Sequence, residues 1–138
     1  MESAFIDALT AQVNLSSSAQ LAHWNSEGEH FFHFHLLFER VYETVSEKID
    51  TLAEQARGQG VEIPAKIFNS VPEIEWETLP ELAKEIEKLV DEFTKELDSL
   101  HEECDKKSHY GVLNVIEDIM SDCNTLKYLL GSVNKEFD

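Results

Sequence analysis

The chain has 138 residues, a length typical of a single domain with a core of its own. It carries 28 acidic against 11 basic side chains and a formal net charge of −17, which disfavours binding to nucleic acid and anionic membranes and attracts cations. Two cysteines are too few for a secreted disulfide framework, no signal sequence is recognisable, and no apolar run reaches membrane-spanning length. We therefore expect one cytoplasmic domain, residues 1–138.

Hydrophobic periodicity predicts four long helices. The first runs from about Ser3 to Asn25, and the second from about Glu29 to Arg57, where Gly58 and Gly60 follow. Both stretches keep apolar residues at helical spacing and end in residues that favour helix termination. We expect these two helices to pair, because only a few residues join them.

The second half of the chain predicts another helical pair. The third helix opens at Thr78, which can cap it together with Glu81, and ends at Lys106 and Lys107, which suit the negative end of a helix. The fourth helix starts at the cap Ser108 and runs nearly to the end of the chain. A short connection again predicts an antiparallel pair.

The link between the second and third helices decides the topology. It runs from Gly58 to Glu77, contains Pro64 and Pro72, and includes an apolar "KIF" at 66–68 that could form a short helix. At about 3.3 Å per extended residue it can cross the length of a helix. We expect the second and third helices to be parallel, which gives an all-α, ferritin-like four-helix bundle with one long crossover.

The second helix carries a face of potential metal ligands. At 100° per residue, one arc of about 100° contains four such side chains, namely His35, Glu39, Asp50 and Glu54. Glu39 and Asp50 are eleven residues apart, or about 16 Å along the helix axis, which is too far for both to bind one metal ion. A second copy of the chain, antiparallel about a two-fold axis, would place its Asp50 and Glu54 opposite His35 and Glu39 of the first. This arrangement forms two identical sites.

A further imidazole lies on the first helix. His23 follows Phe5 by five full turns, so it points to the same apolar side, toward the second helix. Imidazole and carboxylate together suit iron, manganese or zinc.

These residues resemble a known family. The order "HWN…G…FF…H…E…D…E", with His23, His35, Glu39, Asp50 and Glu54 in register beside Trp24, Asn25, Gly28 and the pair Phe31 and Phe32, is similar to the Dps family of miniferritins, the DNA-binding proteins from starved cells. The resemblance implies a homododecamer built from two-fold dimers. It also implies that His23, His35 and Glu39 come from one subunit and Asp50 and Glu54 from its mate.

The same resemblance implies an activity, to which two alternatives remain open. Members bind ferrous iron, oxidise it preferentially with hydrogen peroxide, and store the ferric product in a hollow shell, which protects against oxidative stress. The alternatives are a structural shell or DNA-compacting protein with inert metal positions, and a variant that holds zinc or manganese.

The chain departs from the family pattern in two respects. Glu39 stands where aspartate is usual, and no Lys/Arg-rich extension is evident at either end, so we expect little DNA binding. His30 and His33 match no ligand position, and we expect them at the surface or an interface.

Overall fold

The computed structural model of the chain describes residues 1–135, which form α-helices and one short 3-10 helix joined by turns and loops. The elements, in chain order, are α1 (Glu2–Asn25), α2 (Phe31–Ser46), α3 (Ile49–Gly58), the 3-10 helix (Ala65–Phe68), α4 (Leu79–Lys106) and α5 (Tyr110–Lys135). The predicted all-α fold is confirmed, and the short helix expected around "KIF" forms as the 3-10 helix. Within the described range no helix is long and apolar enough to cross a membrane.

Contacts at both ends of α1 define the helix directions. The amino group of Met1 forms a 2.7 Å ion pair with Glu103 near the end of α4, whereas Ala22 near the end of α1 lines a cavity with Leu82 at the start of α4. Helices α1 and α4 are therefore antiparallel. Because α1 is also antiparallel to α2 across a short turn, α2 and α4 are parallel, as the long crossover predicts.

The core is formed by apolar stripes that meet inside the bundle. On α4 the buried positions repeat at helical spacing, and Ile86, Phe93 and Leu97 are inaccessible to solvent. Burial of each such side chain contributes about 1.5 to 3 kcal/mol, so this stripe holds α4 against α1 and α5.

The start of α4 is capped as predicted. The hydroxyl oxygen of Thr78 accepts a hydrogen bond from the Glu81 N–H over 3.3 Å, and the Glu81 carboxylate accepts one from the Glu77 N–H over 3.0 Å. Two N–H groups at this helix end thus gain partners.

The prediction that Ser108 caps the last helix is wrong. Ser108 has a φ of +56° and terminates α4, because its N–H donates to Asp105 and the His109 N–H donates to the Cys104 carbonyl. This is the Schellman arrangement, in which a left-handed residue lies just past the helix. Helix α5 then begins at Tyr110.

The prediction of one continuous second helix from Glu29 to Arg57 is also wrong. The helix is divided into α2 and α3 at Glu47 and Lys48. Lys48 has a ψ of +9°, and its N–H donates to the Val45 carbonyl, three residues back, over 3.4 Å. The helical angles of Asp50 and Glu54 on α3 therefore cannot be counted from His35 as they could in a continuous helix.

Candidate metal centre

A tight connection between α1 and α2 places the first two candidate ligands together. Gly28 and His30 both adopt left-handed backbone conformations, with φ of +84° and +65°. The Phe31 N–H donates to the Gly28 carbonyl over 3.1 Å, and α2 begins at once. The chain thus reverses within a few residues, so the end of α1 lies beside the start of α2.

His23 and His35 contact each other across this turn. Their rings stack with centroids 3.8 Å apart and planes inclined by 19°. Nδ1 of each ring donates a hydrogen bond of 2.8 Å to the backbone carbonyl oxygen of the other residue. His35 also acts as a cap, since the carbonyl of His23 lies in the last turn of α1, where it has no partner within the helix.

The reciprocal hydrogen bonds fix which nitrogen of each ring is available. A carbonyl oxygen only accepts, so Nδ1 carries the hydrogen in both residues, and in the neutral ring the lone pair lies on Nε2. A hydrogen bond from the other ring nitrogen to a carbonyl is the usual support of a metal-binding histidine. The two half-buried imidazoles are therefore chemically suited to bind a cation through Nε2.

Two further aromatic rings enclose this pair. Phe31 stacks on His35 with a centroid distance of 4.6 Å, and Tyr42 contacts His23 edge-on at 5.3 Å. Partial burial, with the nearby negative charges of Glu39 and Glu43, raises the pKa of the Tyr42 phenol above its ordinary value. Tyr42 is thus a neutral phenol at physiological pH. Sequence reasoning missed both contacts, although the four-residue spacing from Phe31 to His35 could have indicated the first.

The carboxylates divide into two groups. Glu39 follows His35 by one helical turn and is partly exposed, whereas Asp50 and Glu54 are exposed on α3, beyond the break. In the part of the chain that the structure describes, no three His, Cys, Asp or Glu side chains come close enough to hold a metal ion. Two of the five predicted ligands, His23 and His35, contact each other within one chain.

The other residues singled out in the sequence lie outside this cluster. His30 and His33 are at the surface, as predicted, with rings 6.0 Å apart. Trp24 is 63% exposed, so it is not part of the core.

A four-helix bundle with one long crossover is the architecture of the ferritin-like class of protein. Comparison with known families agrees, because the model of the ferritin-like domain matches residues 4–135, and the chain belongs to this family. No curated protein matches the sequence significantly.

Solved Dps structures share the fold. Dps from Thermosynechococcus elongatus superposes with a TM-score of 0.87 at 18% identity, covering 96% of this chain and 88% of that one. A Dps protein from Bacillus brevis gives 0.80 at 22% identity, covering 96% and 95%. Dps from Microbacterium arborescens in the high iron form gives 0.77 at 22% identity, covering 96% and 93%. The predicted resemblance to Dps is confirmed at the level of the fold.

Proposed function

We propose that the protein is an iron-storing ferroxidase of the Dps type. Ferrous iron is the substrate, hydrogen peroxide the preferred oxidant, and the ferric product is retained in a hollow homododecamer in the cytoplasm. The observation that carries the proposal is the pair His23 and His35, which offers two Nε2 lone pairs held by reciprocal hydrogen bonds. The relative from Microbacterium arborescens was solved in a high iron form, which supports iron as the cargo.

The site is proposed to be shared between two chains. His23, His35 and Glu39 of one chain face Asp50 and Glu54 of its two-fold mate, so each pair of chains has two sites. Four large apolar side chains that flank the histidines in the sequence are exposed in the isolated chain, namely Leu21, Trp24, Phe32 and Leu36. An apolar surface of this kind beside charged groups is typical of a subunit interface.

The chemistry follows from the donor set. Imidazole nitrogens and carboxylates bind ferrous iron, and the carboxylates also neutralise the higher charge of the ferric ion. Two ferrous ions give one electron each to a peroxide, whose O–O bond is cleaved to two hydroxide ions. The protein's contribution is to hold the ions close to each other and to the oxidant.

The net charge of −17 supports cation uptake, because a negative surface raises the local cation concentration.

Both cysteines are free and buried, which fits a reducing compartment.

The deciding experiment adds ferrous iron to the metal-free protein under anaerobic conditions and follows ferric absorbance after adding peroxide, and separately after admitting air. We expect a fast rise with peroxide and a slower one with air. A flat trace with both oxidants would contradict a ferroxidase and leave a structural shell or a zinc-binding protein.

A further inference from the structure

The break between α2 and α3 lies inside the proposed ligand set. His35 and Glu39 precede it, and Asp50 and Glu54 follow it. The angle between the two helix segments therefore decides where the carboxylates of α3 point relative to the imidazoles. In a two-fold dimer this angle sets the separation of the two halves of each shared site.

Lys48, at the break itself, is tied to α5 by two ion pairs. Its Nζ lies 2.8 Å from a carboxylate oxygen of Asp118 and 2.6 Å from one of Asp122, which is one helical turn further along α5. The Lys48 side chain is 24% exposed, Asp122 30% and Asp118 66%, so the ion pair with Asp122 is partly shielded from water.

A second attachment holds the other side of the break. Gln12, fully buried on α1, donates from Nε2 to the Val45 carbonyl over 3.4 Å, and the Lys48 N–H donates to the same oxygen. Helices α1 and α5 thus contact the break from two directions.

We infer that Lys48 is a positioning residue, which sets the direction of α3 through Asp118 and Asp122 and so places Asp50 and Glu54 for metal binding. This inference rests on the proposed function. Residues 41–52 contain neither proline nor glycine, so the break depends on contacts with the rest of the fold, and the ion pairs of Lys48 are among these contacts. Small displacements of ligands by distant changes are known to cost much of a site's efficiency.

The test compares Lys48→Met, Lys48→Arg and a matched control, Lys127→Met, in the assembled protein. Lys127 also joins two helices by an ion pair, to Asp91 over 2.8 Å, but it lies away from the break. Zinc binding is measured by calorimetry, since zinc takes the same donors without redox chemistry, and iron oxidation and thermal unfolding are measured alongside. We expect Lys48→Met to weaken zinc binding about tenfold and to slow oxidation in proportion. Lys127→Met should change neither, and Lys48→Arg should restore both.

The zinc measurement separates the two proposals. If His23→Ala with His35→Ala leaves zinc affinity unchanged, zinc does not bind at the proposed site and the proposed function fails. If that double variant abolishes binding but Lys48→Met binds zinc as the wild type does, the positioning inference alone is overturned. Should Lys48→Met fail to fold, Asp118→Asn keeps one ion pair and is expected to show a smaller loss of zinc affinity, whereas an unchanged affinity would contradict the inference.

Discussion

His23 and His35 support each other, because Nδ1 of each donates to the carbonyl oxygen of the other over 2.8 Å. This exchange ties the last turn of α1 to α2 and leaves both Nε2 atoms as acceptors. Neither imidazole can change tautomer without breaking the bond to its neighbour. The pair is thus a preorganised donor set, and its orientation is part of the fold.

Replacing His35 with Phe should separate packing from metal binding. The variant keeps a ring to stack on His23 and Phe31 but loses both nitrogens, so the protein should fold with a loss of about 1 kcal/mol from the one missing hydrogen bond, to the His23 carbonyl. Iron oxidation should fall roughly 10- to 100-fold or more. Stopped-flow absorbance and urea unfolding measure the two effects. His33→Ala, on the same helix, is the matched control, and an equal loss of oxidation in that variant would argue against a specific role for His35.

Glu39 should act through its charge and tolerate the shorter side chain. Glu39→Asp keeps a carboxylate in the form usual in the family, and we expect oxidation within about tenfold of the wild type. Glu39→Gln keeps the length but removes the charge, and its zinc affinity and oxidation rate should both fall further. If calorimetry gives the Gln variant the stronger zinc binding of the two, Glu39 is not a ligand.

A structural feature could be predicted from the sequence when the residues that form it lie close together in the chain. The cap at Thr78 depends on residues a few positions apart, and it was predicted correctly. Serine is favourable at the start of a helix, and nothing local indicated that Ser108 would take a left-handed conformation after α4.

The break at Lys48 and the hydrogen bonds of the histidine pair depend on the tertiary fold. Partners of Lys48 lie seventy or more residues away on α5, so periodicity in α2 and α3 does not reveal them. Sequence reasoning placed His23 toward the second helix, but which ring nitrogen of His23 and His35 remains available is decided only when each ring meets the other's carbonyl.

The thiols should be unreactive in the folded protein. Burial raises the pKa of Cys123 to about 11 and that of Cys104 above its ordinary value. At pH 8 the native protein should therefore react slowly with iodoacetamide, whereas both thiols should react rapidly in denaturant, as measured by mass spectrometry. Rapid alkylation of the native protein at this pH would show that the thiols are accessible.

The same shift predicts a pH dependence of stability. Between pH 9 and about 11 the folded state keeps the Cys123 proton that the unfolded state has lost, so the folded state binds more protons. The contribution of Cys123 to the free energy of unfolding should thus fall as pH rises through this window. The measurement is urea unfolding at a series of pH values, with Cys123→Ala, which should lack this component of the slope, as the reference.

Duplex DNA should bind weakly or not at all. With 28 acidic against 11 basic side chains, the release of counterions that drives protein–DNA association has little source. We expect no saturable gel shift at about 150 mM salt and neutral pH. Saturation at sub-micromolar protein would reveal a basic surface that the net charge conceals.

Mixed dimers test whether each metal site is shared between two chains. One variant carries His23→Ala and His35→Ala, and the other carries Asp50→Ala and Glu54→Ala. Each alone should lose rapid iron oxidation, because every site lacks part of its ligands.

In a mixed pair the histidines of the second variant meet the carboxylates of the first, so one complete site is restored while the other loses both sets. Random pairing makes about half of the dimers mixed, so co-refolded protein should recover up to roughly a quarter of the wild-type sites. Differently tagged variants, purified for both tags as dimers before assembly, give the mixed dimers directly. Oxidation no faster than that of either parent would contradict a shared site, because the single bundle would then have to supply every ligand itself.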